Sequence, residues 1–196
     1  MKNPDILLAI KPVINAFNQL SIPYYIGGSV ASSLYGMARA TMDVDVIACM
    51  TQGKVPSFVK QLEEAYYIDE QMIDEAISSG SSFNLIHLET MMKIDVFTQK
   101  QEPYHESALA GRLRDLLVEG DQDSAFYFSS PEDIILSKLR WYEMGNRVSE
   151  RQWLDIIGVI KVQGDSLNNA YLVSWSKSLG LFDLLKQAFL DAGISF

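Results

Sequence analysis

Apolar and polar positions change their period several times along the chain. Over residues 4–20, Ile6, Ile10, Val13 and Phe17 recur at helical spacing, which predicts an amphipathic helix. Pro23 opens a short strand over 24–26 that runs into Gly27-Gly28-Ser29, and SVASSLYG (29–36) reads as a short helix ended by Gly36. From 43 to 49 a strand follows, with Val44 and Val46 toward the core. The pattern then predicts helices over 55–65 and 70–79, strands over 83–89 and 91–98, and a hairpin within 112–128 whose register it leaves open.

Beyond Phe128 the period stays helical. Ser130, Pro131 and Asp133 supply an N-cap, a first-turn proline and an acidic third position for a helix running to about Gly145. Ser149, with Gln152 three residues on, opens another, and two more cover 167–179 and 181–192. The chain thus reads as α+β: a mixed core over 1–128 and a C-terminal helical subdomain over 129–196.

Composition narrows the function classes. The 196 residues suffice for a sizeable core, and 48% hydrophobic with 21% charged residues is ordinary globular usage. With 25 acidic against 16 basic residues the net charge is −9, which argues against a general nucleic-acid surface, because phosphate contacts need a basic field. Lys138, Arg140, Arg147 and Arg151 still offer a local basic patch. The single cysteine, Cys49, rules out an internal disulfide and reads as a small buried core residue in VIACM. MKNPDILLAIKP is too broken by charge for a signal peptide, and no apolar run approaches the ~20 residues that span a bilayer, so a soluble, cytoplasmic chain is expected.

The chemistry is concentrated in aspartates that interrupt strands. Side chains at i and i+2 share a face, so Asp43 and Asp45 project together and repel unless a cation lies between them. Asp95 interrupts KIDVF in the same way and completes a three-carboxylate cluster if its strand is a neighbour. All-oxygen ligands suit Mg²⁺ or Mn²⁺. The Gly27-Gly28-Ser29 turn at a strand-to-helix junction lets backbone approach a ligand and presents free N–H groups to a phosphate. Calcium loops also carry Asp-x-Asp but are polar and glycine-punctuated, unlike DVDVIA. His87 alternates with apolar residues and reads as structural; neither it nor His105 is assigned a catalytic role.

Ile26, Gly28-Ser29, Asp43-Val44-Asp45 and Asp95, in this order and spacing, resemble the signature of the DNA polymerase β-like nucleotidyltransferase superfamily. The stretch SPEDIILSKLRWYEMGNRVSERQWLDIIG (130–158) is similar to the toxin-type, abortive-infection (AbiEii-like) branch of that superfamily. The resemblance implies a small mixed-sheet nucleotidyltransferase core with flanking helices. It implies metal ligation and catalysis by Asp43, Asp45 and Asp95, triphosphate binding by Gly27, Gly28 and Ser29, and an NTP substrate with Mg²⁺ or Mn²⁺. It also implies Lys138 at the nucleotide, Asp155 as a downstream acid, and an antitoxin partner. On the residues alone, Lys138 either snorkels from its apolar stripe or points into a cleft. Asp155 reads equally as an i, i+4 surface partner of Arg151. Arg39 and Thr41 either face the phosphates or shape the turn. The acceptor is left open among a tRNA end, a protein hydroxyl and a small molecule. The rival reading is a non-catalytic module of the same fold that binds nucleotide or a partner protein, and a sugar-nucleotide transferase is disfavoured by the small α/β region.

Overall fold

The alternation in DVDVIA is realised as a strand because one of its two faces is buried completely. A computed structural model describes residues 4–99 and 102–195. The reading of MKNPDILLAIKP rests partly on residues 1–3, which lie outside the described residues. Strands β1 (Tyr24–Ile26), β2 (Asp43–Ala48), β3 (Tyr66–Tyr67), β4 (Ser82–His87), β5 (Lys93–Thr98), β6 (Leu113–Leu116) and β7 (Ala125–Phe128) form one sheet in the order β3-β4-β5-β2-β1-β7-β6. The sheet is mixed. β2 runs parallel to β5 and β1 parallel to β7, while the pairs β1–β2, β4–β5, β3–β4 and β6–β7 are antiparallel. This is the α+β architecture expected from the sequence, and the hairpin register is now explicit, from Leu113 opposite Phe128 to Leu116 opposite Ala125.

Around the sheet lie α1 (Pro4–Gln19), α2 (Gly28–Tyr35), α3 (Val55–Leu62), α4 (Glu70–Ser79) and α5 (Pro103–Ala110). Four more helices follow: α6 (Pro131–Met144), α7 (Glu150–Gln163), α8 (Asn169–Ser178) and α9 (Phe182–Ala192). The chain divides into two compact units. The first holds residues 1–30 and 40–128, and the second holds 31–39 and 129–196. Among the described residues no helix is long and apolar enough to cross a membrane.

In the first unit, Val44, Val46, Ile94, Val96 and Leu85 are 0% exposed and build the inward face of the sheet. Helices α1 and α3 supply its cover. Phe17 stacks on Phe58 at 5.0 Å between centroids, and Phe58 meets Phe83 edge-on at 6.5 Å. Tyr66 ties β3 to this layer by donating its hydroxyl to the carbonyl of Ala9 at 2.8 Å, so the buried phenol is satisfied. With the inner face sealed, the alternate positions 43, 45, 47, 93, 95 and 97 fall on the other face.

The second unit is a helical core of Ile135, Leu136 and Leu139 with Ile156, Val159, Ile160, Leu172, Leu185 and Phe189. Its first helix starts as the sequence predicts: the Ser130 hydroxyl accepts from the backbone N–H of Asp133 at 3.1 Å and donates to that carboxylate at 2.8 Å. The sequence assigns 31–39 to the α/β region, but the structure groups this segment with the helices. Gln163 donates to the carbonyl of Tyr35 at 2.8 Å. A Cβ on Gly36 would stand 2.9 Å from the backbone nitrogen of Val159, so only glycine allows this approach.

Truncating Phe58→Ala removes the ring that joins α1 to the sheet, and we expect a loss of about 3–5 kcal/mol in urea unfolding. A loss below about 1 kcal/mol would place the core elsewhere.

Candidate active site

The site is assembled from the outward positions of β2 and β5 and the entry to α2, all in the first unit. In-register parallel pairing sets Asp43 opposite Lys93 and Asp45 opposite Asp95. Adjacent strands are about 4.8 Å apart and outward neighbours on one strand about 6.6 Å, so the three carboxylates share one small patch. Asp43, Asp45 and Asp95 are all half-buried, in contact with solvent yet rooted in rigid strands. On the far side of β5, Asn84 pairs with Asp95 and shares its face.

The glycine turn touches this patch directly. Gly27 donates its N–H to the carbonyl of Asp45 at 2.9 Å, which fixes the end of β1 against β2. Gly28 has φ +54° and opens α2; a Cβ there would lie 1.7 Å from Oδ2 of Asp45. The carboxylate of Asp45 thus fills the space that any other residue's side chain would claim. Ser29 is half-buried in the first turn of the same helix. Thr41 donates its hydroxyl to Oδ1 of Asp43 at 2.5 Å and so orients the first aspartate of the pair.

Sequence reasoning passed over Lys93. Its ammonium lies 2.8 Å from Oδ2 of Asp95, with side chains 47% and 19% exposed respectively. The hydrogen bond to Asp95 holds the lysine's pKa above the ordinary value, against a small desolvation penalty, and attraction to Asp95, Asp43 and Asp45 adds to it. The signal was legible in MMKIDVF, since position 93 precedes Asp95 by one strand period.

Among the described residues no three His, Cys, Asp or Glu side chains are drawn tightly enough together to hold a metal ion. The patch nonetheless suits a divalent cation on two counts. Its donors are all carboxylate oxygens, and the Lys93 ammonium stands in for the positive charge they require.

Further expectations concern charged or polar side chains elsewhere. Lys138 and Asp155, expected at the nucleotide, bond to each other inside the second unit. Nζ of Lys138 donates to Oδ2 of Asp155 at 2.8 Å and to Oε1 of Gln152 at 3.1 Å. Arg39 joins them, donating Nε to Oδ1 of Asp155 at 2.9 Å and Nη2 to Oδ2 at 3.2 Å. Lys138 and Asp155 are 4% and 6% exposed, so neither the snorkelling lysine nor the Arg151–Asp155 surface pair is what forms. Burial works to raise the Asp155 carboxyl, but the hydrogen bonds from Arg39 and then Lys138 outweigh it and bring the pKa below the ordinary value. The basic patch is correspondingly depleted, because Arg147 also pairs with Glu143 at 2.6 Å. Cys49, expected in the core, is half-buried at the end of β2, with Sγ 2.7 Å from Oε1 of Gln99; burial raises its thiol pKa. His87 is 6% exposed and lies 2.8 Å from the hydroxyl of Thr90 through Nδ1.

No protein-family model matches the chain, and no curated protein matches it in sequence. Solved structures do. The antibiotic-resistance factor ANT(2'')-Ia is similar with a TM-score of 0.57 at 12% identity, over 94% of this chain and 98% of that one. The same factor in complex with adenylyl-2''-tobramycin gives a TM-score of 0.57 at 14% identity, over 89% and 98%. An antigenic nucleotidyltransferase-like protein from Paracoccidioides brasiliensis gives 0.55 at 18% identity, over 88% and 89%. At these identities the likeness shows the fold, which is that of the nucleotidyltransferases.

Gly28→Ala should destabilise by more than the ~1 kcal/mol of left-handed backbone strain, because the new methyl collides with Asp45. In an Asp45→Gly background the cost should fall back to about 1 kcal/mol; equal costs in both backgrounds would deny the contact. Asp155→Asn leaves the buried Lys138 ammonium without its counter-charge, with an expected loss of about 3 kcal/mol in denaturant. Because the folded pKa of Asp155 is depressed, its contribution is fully present above the ordinary carboxylate value and is lost as pH falls through the lower folded value. The wild-type stability curve should therefore drop more steeply in acid than that of Asp155→Asn.

Proposed function

We propose that this protein is a metal-dependent nucleotidyltransferase that moves an NMP from an NTP to an acceptor hydroxyl. The observation that carries the reading is the contact between Gly28 and Asp45. A phosphate-compatible glycine turn and a paired carboxylate strand occupy one place, with Asp95 in register beside them. Either feature alone has many structural uses, whereas their contact is what a metal–triphosphate complex needs.

Asp43 and Asp45 would hold Mg²⁺ or Mn²⁺, with Asp95 as the third ligand. The cation, when bound, supplies charge neutralisation for the attacking and leaving oxygens of an in-line displacement. The N–H groups at the start of α2, from Gly28 and Ser29, receive the triphosphate. The acceptor oxygen bonds to the α-phosphorus while the bond to the bridging oxygen of the β-phosphate breaks. Pyrophosphate departs, and the acceptor's proton passes to Asp95, which deprotonates or orients the hydroxyl. Positioning by the two strands supplies much of the rate, since the reacting groups are held on rigid elements. Arg39, Lys138 and Asp155 serve the second unit as a buried ion network and Thr41 orients Asp43, while Gly27 locks the turn.

For the acceptor we favour a small molecule over an RNA end. The net charge of −9 and the pairing of Lys138 and Arg147 with acids leave little basic surface for a polyanion. The similar factor ANT(2'')-Ia is described in complex with an adenylylated antibiotic, which fits a small acceptor. The toxin-type resemblance would instead add a macromolecular target and an antitoxin partner. The non-catalytic reading draws on one observation, the occupation of Asp95 by Lys93.

Thermal unfolding with each of the four NTPs, with and without Mg²⁺ or Mn²⁺, tests the core of the reading. One NTP should stabilise the wild type by ~2.7 kcal/mol at a hundred times its Kd, only with metal, and not the Asp45→Asn variant. Labelled transfer from that NTP then reports the acceptor class: small molecule, RNA or protein. Stabilisation without turnover on any of the three would select the non-catalytic module.

A further inference from the structure

The Lys93–Asp95 pair belongs to the acidic patch but has no place in the chemistry just described, and it sits where a metal's third ligand is wanted. Lys93 and Asp95 occupy successive outward positions of β5, and the register puts them beside Asp43 and Asp45 respectively. The ammonium bonds to Asp95 at 2.8 Å and is also attracted by Asp43 and Asp45. One ammonium against three carboxylates leaves a net charge that a single divalent cation cancels. A second divalent ion would bring excess positive charge unless it came with a polyphosphate.

We propose, on the basis of the functional reading above, that Lys93 is a built-in counter-cation that withholds Asp95 from metal until nucleotide is present. In the nucleotide-free protein a divalent cation binds through Asp43 and Asp45 alone. The third carboxylate becomes a ligand only after the ammonium is displaced. The geometry suits displacement: Lys93 is 47% exposed, its stem is flexible, and an exposed pair of this kind is held weakly enough to exchange. Lys93 is thus a positioning residue, acting on Asp95, and its effect is on metal occupancy.

The test is Mn²⁺ titration of the nucleotide-free protein, read by the electron paramagnetic resonance of free Mn²⁺. Lys93→Met should bind Mn²⁺ about fivefold more tightly than wild type, the change expected when a competing pair worth roughly 1 kcal/mol is removed. That gain should vanish in the Lys93→Met, Asp95→Asn double variant and be absent from Lys93→Arg, which keeps the cation. Asp95→Asn alone should change the affinity by less than about twofold, whereas Asp45→Asn should abolish binding; this comparison stands even if Lys93→Met fails to fold. A large loss with Asp95→Asn, or unchanged binding in folded Lys93→Met, overturns the counter-cation and leaves the transferase reading intact. If neither wild type nor Lys93→Met binds Mn²⁺ at millimolar concentration, the counter-cation falls, and the transferase reading is decided separately by the unfolding experiment with NTP and metal.

Discussion

Carboxylates fixed on one face of two hydrogen-bonded strands repel one another, and the chemistry-bearing part of the first unit is shaped by that repulsion. Register leaves no freedom to relieve it, because sliding β5 by one residue would turn Asp95 into the core and Ile94 out of it. The acids are therefore held together by the same hydrophobic face that makes the sheet stable. What remains adjustable is what surrounds them. Thr41 donates to Asp43, Lys93 donates to Asp95, and Gly28 gives up a side chain so that Asp45 has room. Each aspartate thus has its own accommodation, and each comes from a different element.

The second unit faces the same problem with the opposite geometry. A single carboxylate, Asp155, lies almost sealed from water and is held by two cations rather than left to share one. The cation on one side comes from the segment 31–39, so a buried ion network and the close approach at Gly36 both anchor that segment to α7. Removing the carboxylate would strand the Lys138 ammonium in a poorly solvated place, which gives the network a structural role.

How much of this was legible depended on the range of the interaction. Strand alternation in DVDVIA and KIDVF is local, so the outward carboxylates and the inward valines could be read directly, and so could the caps at Ser130 and Ser149. Helix α5 escaped notice because PYHESALA buries only Tyr104 and Ala108, too few positions to set a period, although Pro103 marked its first turn. Strand β3 has two residues and no period at all. The expected Arg151–Asp155 surface pair fails for a different reason. The nearby Arg151 offered a local partner, while the actual one, Arg39, is 116 residues away and no spacing rule reaches it. Lys93 is within reach of the period-two argument, since it precedes Asp95 by one strand period.

The two ion pairs differ in the cost of opening because they differ in exposure. Lys138–Asp155, at 4% and 6% exposed, cannot open without leaving an unpaired buried charge, a penalty of about 3–5 kcal/mol, so it is unsuited to exchange with a ligand. Lys93–Asp95, at 47% and 19%, loses on the order of 1 kcal/mol or less when it parts, because water resolvates both partners. Lys93 and Lys138 are thus not interchangeable although each pairs at 2.8 Å. Distance alone would rank them as equals, whereas desolvation decides that one pair is costly to open and the other parts at little cost.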